Sequence, residues 1–277
     1  MIKSIFIVPK INSEDDSYVC LVSEIVENAA YSVGCIQVYS FADITPDTLV
    51  IAIGGDGTML HAMNIATRYN TVVMGINLGK IGFLTDFIVN DALFDNIQHI
   101  IKHYDLDDSS FEERISIRGT YKLDERTTLS YAAFNEFVIS NEYSDNIITY
   151  DLIIGNMHAG EHKASSLIIS APTGSTAYSL SAGGALILPN MEVIQIIPVA
   201  PLSMASRPII VPSNMEVKIK FRTNGIICVK ADGQTVERID FNGKMSFRHN
   251  DVKTRVLHSE DYNFFNMLTQ KLGWTRH

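Results

Sequence analysis

Residues 50–60 read VIAIGGDGTML: a buried-looking run, three glycines around one carboxylate, then the start of a helical pattern. Gly54, Gly55 and Gly57 permit close approach of backbone to a ligand, and a helix starting there offers unpaired N–H groups to an anion. The spacing is neither G-x-G-x-x-G nor a Walker loop ending in Lys-Ser/Thr. An ionised Asp56 beside phosphates would repel them. It makes chemical sense if it binds a ligand hydroxyl, takes that hydroxyl's proton, or works beside Mg²⁺. The same residue reads as a helix N-cap, a common place for Asp.

Two further loops are of similar make. INLGKIGFLTDF (76–87) follows the next apolar run and repeats the strand-to-glycine arrangement. SAPTGSTAYSLSAGGA (170–185) concentrates small hydroxyl residues and glycines, as suits a polar ligand held close to the backbone. Tyr178 offers a ring to a base or ribose. An ordinary turn leading into a helix explains any one such loop, but it explains three in one chain less well. HAGEH (158–162) matches the H-x-x-E-H zinc string, yet Gly160 and flanking strand runs make it a hairpin turn. SLSAG (179–183) lacks the first glycine of a nucleophile elbow and has no His/Asp partner in view, so its serines read as helix-facing.

The elements that must position these loops follow from periodicity. SIFIVPK (4–10), CIQVYS (35–40), LVIAI (49–53) and TVVMGIN (71–77) read as strands. Helical spacing runs from about 16 to 31, 58 to 68 and 91 to 104. Alternation of this kind predicts a parallel sheet covered by helices, an α/β N-terminal domain over 1–105. From 106 to 260 short alternating runs predict a mostly β C-terminal domain, with a cleft expected between the lobes. A terminal helix within 261–277 is expected to dock back on the first domain. The acidic LDDSSFEE (106–113) reads as a solvated linker.

Composition narrows the partners. With 277 residues, 46% hydrophobic and 19% charged, the chain has a core to bury and is not disordered. A formal charge of −9 argues against a nucleic-acid partner. No run approaches the roughly 18 apolar residues of a membrane helix, and no signal peptide is visible. Cys20, Cys35 and Cys228 have no metal spacing and read as buried reduced thiols, which suits the cytoplasm. The six histidines outside HAGEH read as surface or capping residues.

In order along the chain, GGDG (54–57), NLGKIGFLTDF, the Asn135-Glu136 pair in AAFNEFVIS and PTGSTAYSLSAGG (172–184) resemble the NAD kinases. SRP (206–208) and FFNMLTQKLGW resemble the Gram-negative bacterial branch of that family. The resemblance implies the NAD kinase-like two-domain fold and transfer of phosphate from ATP to the adenosine ribose 2′-hydroxyl of NAD, with Mg²⁺ accompanying ATP. It implies that Asp56 orients or deprotonates that hydroxyl, with Gly55 and Gly57 beside it. Asn135 and Glu136 would hold the adenosine side and Phe83 would line the pocket. Thr173, Thr176, Ala177 and Tyr178 would contact the dinucleotide, with Asp232 near the site. A homodimer or homotetramer is implied as well, and IQIIPVAPL (194–202) would suit its interface or a core.

One segment departs from the family. Where its members carry basic-x-Asp-Gly, this chain has Lys163, Ala164, Ser165 and Ser166. Lys163 keeps the charge, but Ser165 replaces a carboxylate associated with the nicotinamide end. A catalytically weakened NAD(P)-binding regulator and an NADH-accepting kinase are therefore the alternative readings, with a kinase of another acceptor behind them.

Overall fold

Unbroken β-branched runs become strands buried on both faces, because a parallel sheet is covered by helices on each side. The computed structural model describes residues 2–10, 16–79, 82–104, 111–122, 126–143, 147–222, 225–239 and 243–274. Two units are distinguished, Met1–Glu113 with Thr254–His277, and Arg114–Lys253.

In the first unit the chain runs β1 (Ser4–Pro9), α1 (Ser17–Ser32), β2 (Ile36–Gln37), β3 (Thr48–Gly54), α2 (Asp56–Tyr69) and β4 (Val72–Asn77). It continues through β5 (Phe87–Ile88), α3 (Leu93–His103) and β6 (Glu112–Arg114). Every residue of β3 and β4 is buried. β1 pairs in parallel with β2 on one side and β3 on the other, and β4 lies beyond β3. The order of connection therefore reverses at β1, with the next strand placed on its opposite side. α1 is capped by Asp16, whose carboxylate accepts the Tyr18 N–H at 3.0 Å, and it buries Val19, Val22, Val26, Ala29 and Ala30. That stripe packs with Leu93, Ile97, Ile100 and Ile101 of α3 against the sheet.

The second unit is antiparallel throughout. Its strands are β7 (Ile117–Lys122), β8 (Thr128–Ala133), β9 (Glu136–Asn141), β10 (Ile148–Ile154), β11 (Met157–Ser170) and β12 (Val193–Pro201). They are followed by β13 (Ile209–Pro212), β14 (Val217–Phe221), β15 (Ile227–Ala231), β16 (Gln234–Ile239) and β17 (Lys244–His249). The long β11 is the hub, pairing with β9, β10 and β12. Phe137, Tyr150, Phe221 and Phe247 fill the core between the inward faces. The chain then returns to the first unit as β18 (Thr254–Val256), parallel to β4, and α5 (Phe264–Leu272).

Several expectations change. HAGEH is not a hairpin turn: residues 158–162 lie inside β11, and the turn falls earlier at Gly155, where φ is +59°. Ladder bonds to β10 stabilise this extended form despite Gly160. Only Ile36–Gln37 of the run 35–40 is strand, since β2 is a sheet edge with a single neighbour. Glu112 and Glu113 are strand rather than linker, while 106–110 lie outside the described residues. Phe111–Glu113 and Thr254–Glu260 belong with the first unit, because β6 and β18 join its sheet. Cys20 is exposed, unlike Cys35 and Cys228. His258 is neither surface nor cap. It is nearly buried, with Nδ1 3.1 Å from Asp86 and Nε2 3.4 Å from Glu112, because the segment after β18 threads between two carboxylates.

Phe247 reports on the second core. Its ring lies 5.2 Å from that of Phe137, and both crowd Gly119, where a Cβ would sit 2.9 Å from Phe137. Phe247→Ala is expected to cost about 3–5 kcal/mol in urea unfolding, as large-to-small core substitutions of Phe do. A loss below about 1 kcal/mol would contradict this packing.

Candidate active site

The turn from β3 to α2 is built by packing on one side and left open on the other. A Cβ on Gly54 would lie 2.3 Å from the Thr58 hydroxyl, so glycine is required there. Gly55 is the N-cap, and no side chain caps the helix. Asp56 is the first helical residue and not the cap. Its carboxylate turns to the loop after β4: Oδ2 accepts the Phe83 N–H at 2.9 Å and Oδ1 accepts the Leu84 N–H at 3.0 Å. The Thr85 hydroxyl lies 3.5 Å from Oδ1 and accepts from the Asn77 amide at 2.7 Å. Asn77 in turn accepts the Gly79 N–H at 2.7 Å. A Cβ on Gly82 would stand 1.9 Å from Asp56 Oδ1, so this approach needs glycine.

Gly55, Gly57 and Gly79 differ from the other glycines. None has the positive φ that favours glycine, and a Cβ on any of them would meet nothing within 4 Å. Neither backbone conformation nor packing against the described residues asks for glycine at these positions. What they leave clear is space beside the backbone, at the N-terminus of a 14-residue helix. A pocket of about 350 Å³ lies there, lined by Lys10, Gly54, Gly55, Asn77, Leu78 and Gly79. An anion approaching the first-turn N–H groups of α2 would be favoured by both those donors and the helix dipole.

The second unit assembles its own cluster where β8 breaks from β9. Asn135 lies in the break and Glu136 opens β9, so the pair is not on an exposed sheet face. Asp232, held at φ +46°, accepts the N–H groups of Phe134 (3.0 Å), Asn135 (2.8 Å) and Glu136 (3.3 Å). Its own N–H donates to the Glu136 carbonyl at 3.1 Å. The Asn135 carbonyl accepts from the Ala171 N–H (2.9 Å) and the Ser170 hydroxyl (3.2 Å). Gly174 packs so closely on that carbonyl that a Cβ would lie 2.2 Å away. The segment 173–178 is therefore pinned over Asn135.

Two buried carboxyl groups share this cluster. Burial raises Glu136 to about 7, the nearby Asp232 charge adds to the rise, and the Tyr178 N–H opposes it. Burial also raises Asp232, opposed by its three N–H donors. Glu136 is the member that takes the proton, because Asp232 is better solvated by backbone dipoles and one Glu136 oxygen is buried without a partner.

Other expected site residues fall in different places. Thr173 is buried, Thr176 and Ala177 are half-buried, and Tyr178 is exposed at the start of a single helical turn. Phe83 is half-buried beside Asp56. Lys163 and Ser165 project outward from β11, five to seven residues before Ser170, roughly 16–23 Å of extended chain. Ser166 points inward instead and is buried. Among the described residues no group of three His, Cys, Asp or Glu is placed to hold a metal. Sequence reading missed Lys10, Asn77, Gly82 and Thr85. The one available signal for Lys10 was a basic residue directly after the first buried strand.

The sequence profile of the ATP-NAD kinase N-terminal domain matches residues 40–104, and that of the ATP-NAD kinase C-terminal domain matches 134–259. NAD kinase of Acinetobacter baylyi is 36% identical over 229 residues, 82% of this chain and 73% of that protein. NAD kinase of Yersinia pestis is 32% identical over 239 residues, 86% of this chain and 80% of that protein. Yeast NADH kinase, solved with NADH, has the same fold with a TM-score of 0.83 at 20% identity, covering 100% of this chain and 89% of its own. An Archaeoglobus fulgidus NAD kinase solved with ATP has a TM-score of 0.74 at 20% identity, over 98% of each chain.

The buried carboxyl pair generates two expectations. Glu136 binds its proton more tightly folded than unfolded, where its value is 4.5. The folded state thus holds more protons between about 4.5 and 7, so stability falls as pH rises through that window. Glu136→Gln removes this loss, by an amount on the order of 1–3 kcal/mol. Thermal unfolding at pH 5 and pH 8 should show the variant's advantage growing with pH, and a constant gap would contradict the assignment. Asp232→Ala strands three N–H groups and leaves alanine at a positive φ, so a loss of about 2–4 kcal/mol is expected in urea unfolding.

Proposed function

The chain belongs to the NAD kinase family, and on that premise we propose that it transfers the terminal phosphate of ATP to the adenosine ribose 2′-hydroxyl of NAD, giving NADP. One observation carries the reading. Gly55 and Gly57, which neither backbone angle nor described neighbours require, flank Asp56 at a helix start. Phosphoryl transfer has little covalent work for the protein and depends on positioning and charge neutralisation. An open row of backbone donors beside a fixed carboxylate suits both needs.

Each role follows from chemistry of the groups. Asp56 orients the acceptor hydroxyl and accepts its proton as the phosphate arrives. Oδ1 already takes the Leu84 N–H and the Thr85 hydroxyl, whereas Oδ2 takes one N–H and keeps a further lone pair for a substrate hydroxyl. Those bonds fix the carboxylate in direction, which is what a positioned base requires. Gly55 and Gly57 give phosphates access to the backbone, and Phe83 borders the Asp56 side. Asn135 and Glu136 hold the adenosine half of NAD, fixed by Asp232. Thr173, Thr176, Ala177 and Tyr178 contact the dinucleotide, and Lys163 and Ser165 face its outer end. Mg²⁺ enters on the phosphates of ATP as part of that substrate, keeping water and one or two carboxylate partners at most.

We infer a homodimer or homotetramer as the working form. Support comes from Leu202, Met204, Ile209 and Ile210, exposed along β12–β13 and the segment joining them, although residues 194–197 of β12 are interior. The reduced thiols Cys35 and Cys228 suit the cytoplasm, and no helix among the described residues is long and apolar enough to cross a membrane. The net charge of −9 disfavours a nucleic-acid partner.

Incubation with NAD, ATP and Mg²⁺, followed by detection with an NADP-specific dehydrogenase, tests the activity directly. Absence of NADP would sink the proposal. Asp56→Asn keeps shape but removes the base, so turnover should fall roughly 10²–10⁴-fold with NAD still bound. Turnover near the wild-type rate would remove Asp56 from the chemistry.

A further inference from the structure

Lys10 has no role in the reading above. It is the residue immediately after β1, and Pro9 is paired with Ile53 in β3. Ile53 and Gly54 are paired in turn with Ile76 and Asn77 in β4. Lys10, Gly54 and Asn77 therefore stand level across the carboxyl ends of three adjacent parallel strands. They line one pocket together with Gly55, Leu78 and Gly79. Of these lining residues Lys10 alone carries a charge.

The location is also topologically marked. From β1 the chain crosses to β2 on one side and then to β3 on the other. Helices reached by opposite crossings leave a crevice outside the carboxyl ends of the two central strands, and ligands of open α/β sheets bind there. Lys10 and Gly54 are the residues at that crevice.

We propose that Lys10 is a donor-binding residue: its ammonium group holds the phosphate chain of the nucleoside triphosphate over the glycine cradle. The inference rests on the kinase reading and deepens it. The electrostatic need is specific. A chain of net charge −9 repels a polyanion at long range, and a carboxylate, Asp56, stands at the start of the adjoining helix. Backbone N–H groups alone supply partial charges, so a full positive charge at the cradle is what draws the donor in. The triphosphate carries more charge than the pyrophosphate of NAD, which makes it the stronger claimant. A lysine does this as a flexible point charge rather than a fixed fork, in keeping with a phosphate chain that must shift as its end is transferred.

The test uses the full chain with Lys10→Met and Lys10→Arg, both checked for wild-type thermal unfolding. Binding of inorganic triphosphate is measured by calorimetry, and Michaelis constants for ATP and NAD are measured separately. Lys10→Met should weaken triphosphate and raise the Michaelis constant for ATP about ten- to a hundredfold, the range of one hydrogen bond to a charged group. The constant for NAD should change little, and Lys10→Arg should restore most of the loss. Unchanged triphosphate affinity in Lys10→Met, an equal effect on ATP and NAD, or no triphosphate binding by the wild type would each overturn the inference. Triphosphate binding that depends on Lys10, in a protein that makes no NADP, would uphold it and remove the kinase reading alone.

Discussion

The site in the first unit depends on one carboxylate accepting two successive backbone N–H groups. Asp56 takes those of Phe83 and Leu84, and this joins the loop after β3 to the loop after β4. Without it each loop would be a separate glycine-rich turn, free to sample many conformations at an entropic cost on ordering. With it, Asn77, Thr85 and Gly79 fall into one hydrogen-bonded chain ending at the start of α2. Gly82 is the steric condition for the contact, since no side chain fits against the Asp56 oxygen.

The second unit uses the same device. Asp232 gathers the N–H groups of Phe134, Asn135 and Glu136, and thereby fixes the break between β8 and β9. Three N–H donors oppose the rise that burial imposes on Asp232, whereas its neighbour Glu136 has one donor and a partnerless oxygen. Two carboxyl groups in one low-dielectric cluster cannot both ionise cheaply, so their environments separate them. The result is one anchoring acid and one that titrates near neutrality.

Five of the nine buried side-chain polar atoms without a partner among the described residues belong to Glu136, Thr173, Ser179 and Gln195, and the others to Gln37, Ser116, Arg118 and Asn141. Thr173, Ser179 and Gln195 each bury side-chain oxygen or nitrogen with no partner among the described residues, as does Glu136. Glu136, Ser170 and Gln195 are lateral neighbours across β9, β11 and β12, so they share one face of the sheet. Desolvated groups of this kind are costly unless water or a ligand satisfies them, and they lie beside the residues assigned to the dinucleotide.

Local pattern alone determined much of this protein. Buried β-branched runs marked β1, β3 and β4, the stripe from Val19 to Ala30 marked α1, and alternation marked a β-rich second half. These follow from burial with period 1, 3.6 or 2, which a linear sequence displays directly. GGDG, Asn135-Glu136 and PTGSTAY carried the family resemblance, which burial periodicity alone does not supply. Tertiary structure alone decided what Asp56 touches, since its partners lie 27 and 28 residues away in a separate loop. It also decided that Asp232 is a clasp, that HAGEH is strand, and that His258 sits between Asp86 and Glu112. Each depends on a contact between distant segments, and no residue spacing encodes such a contact until the sheets place the segments side by side.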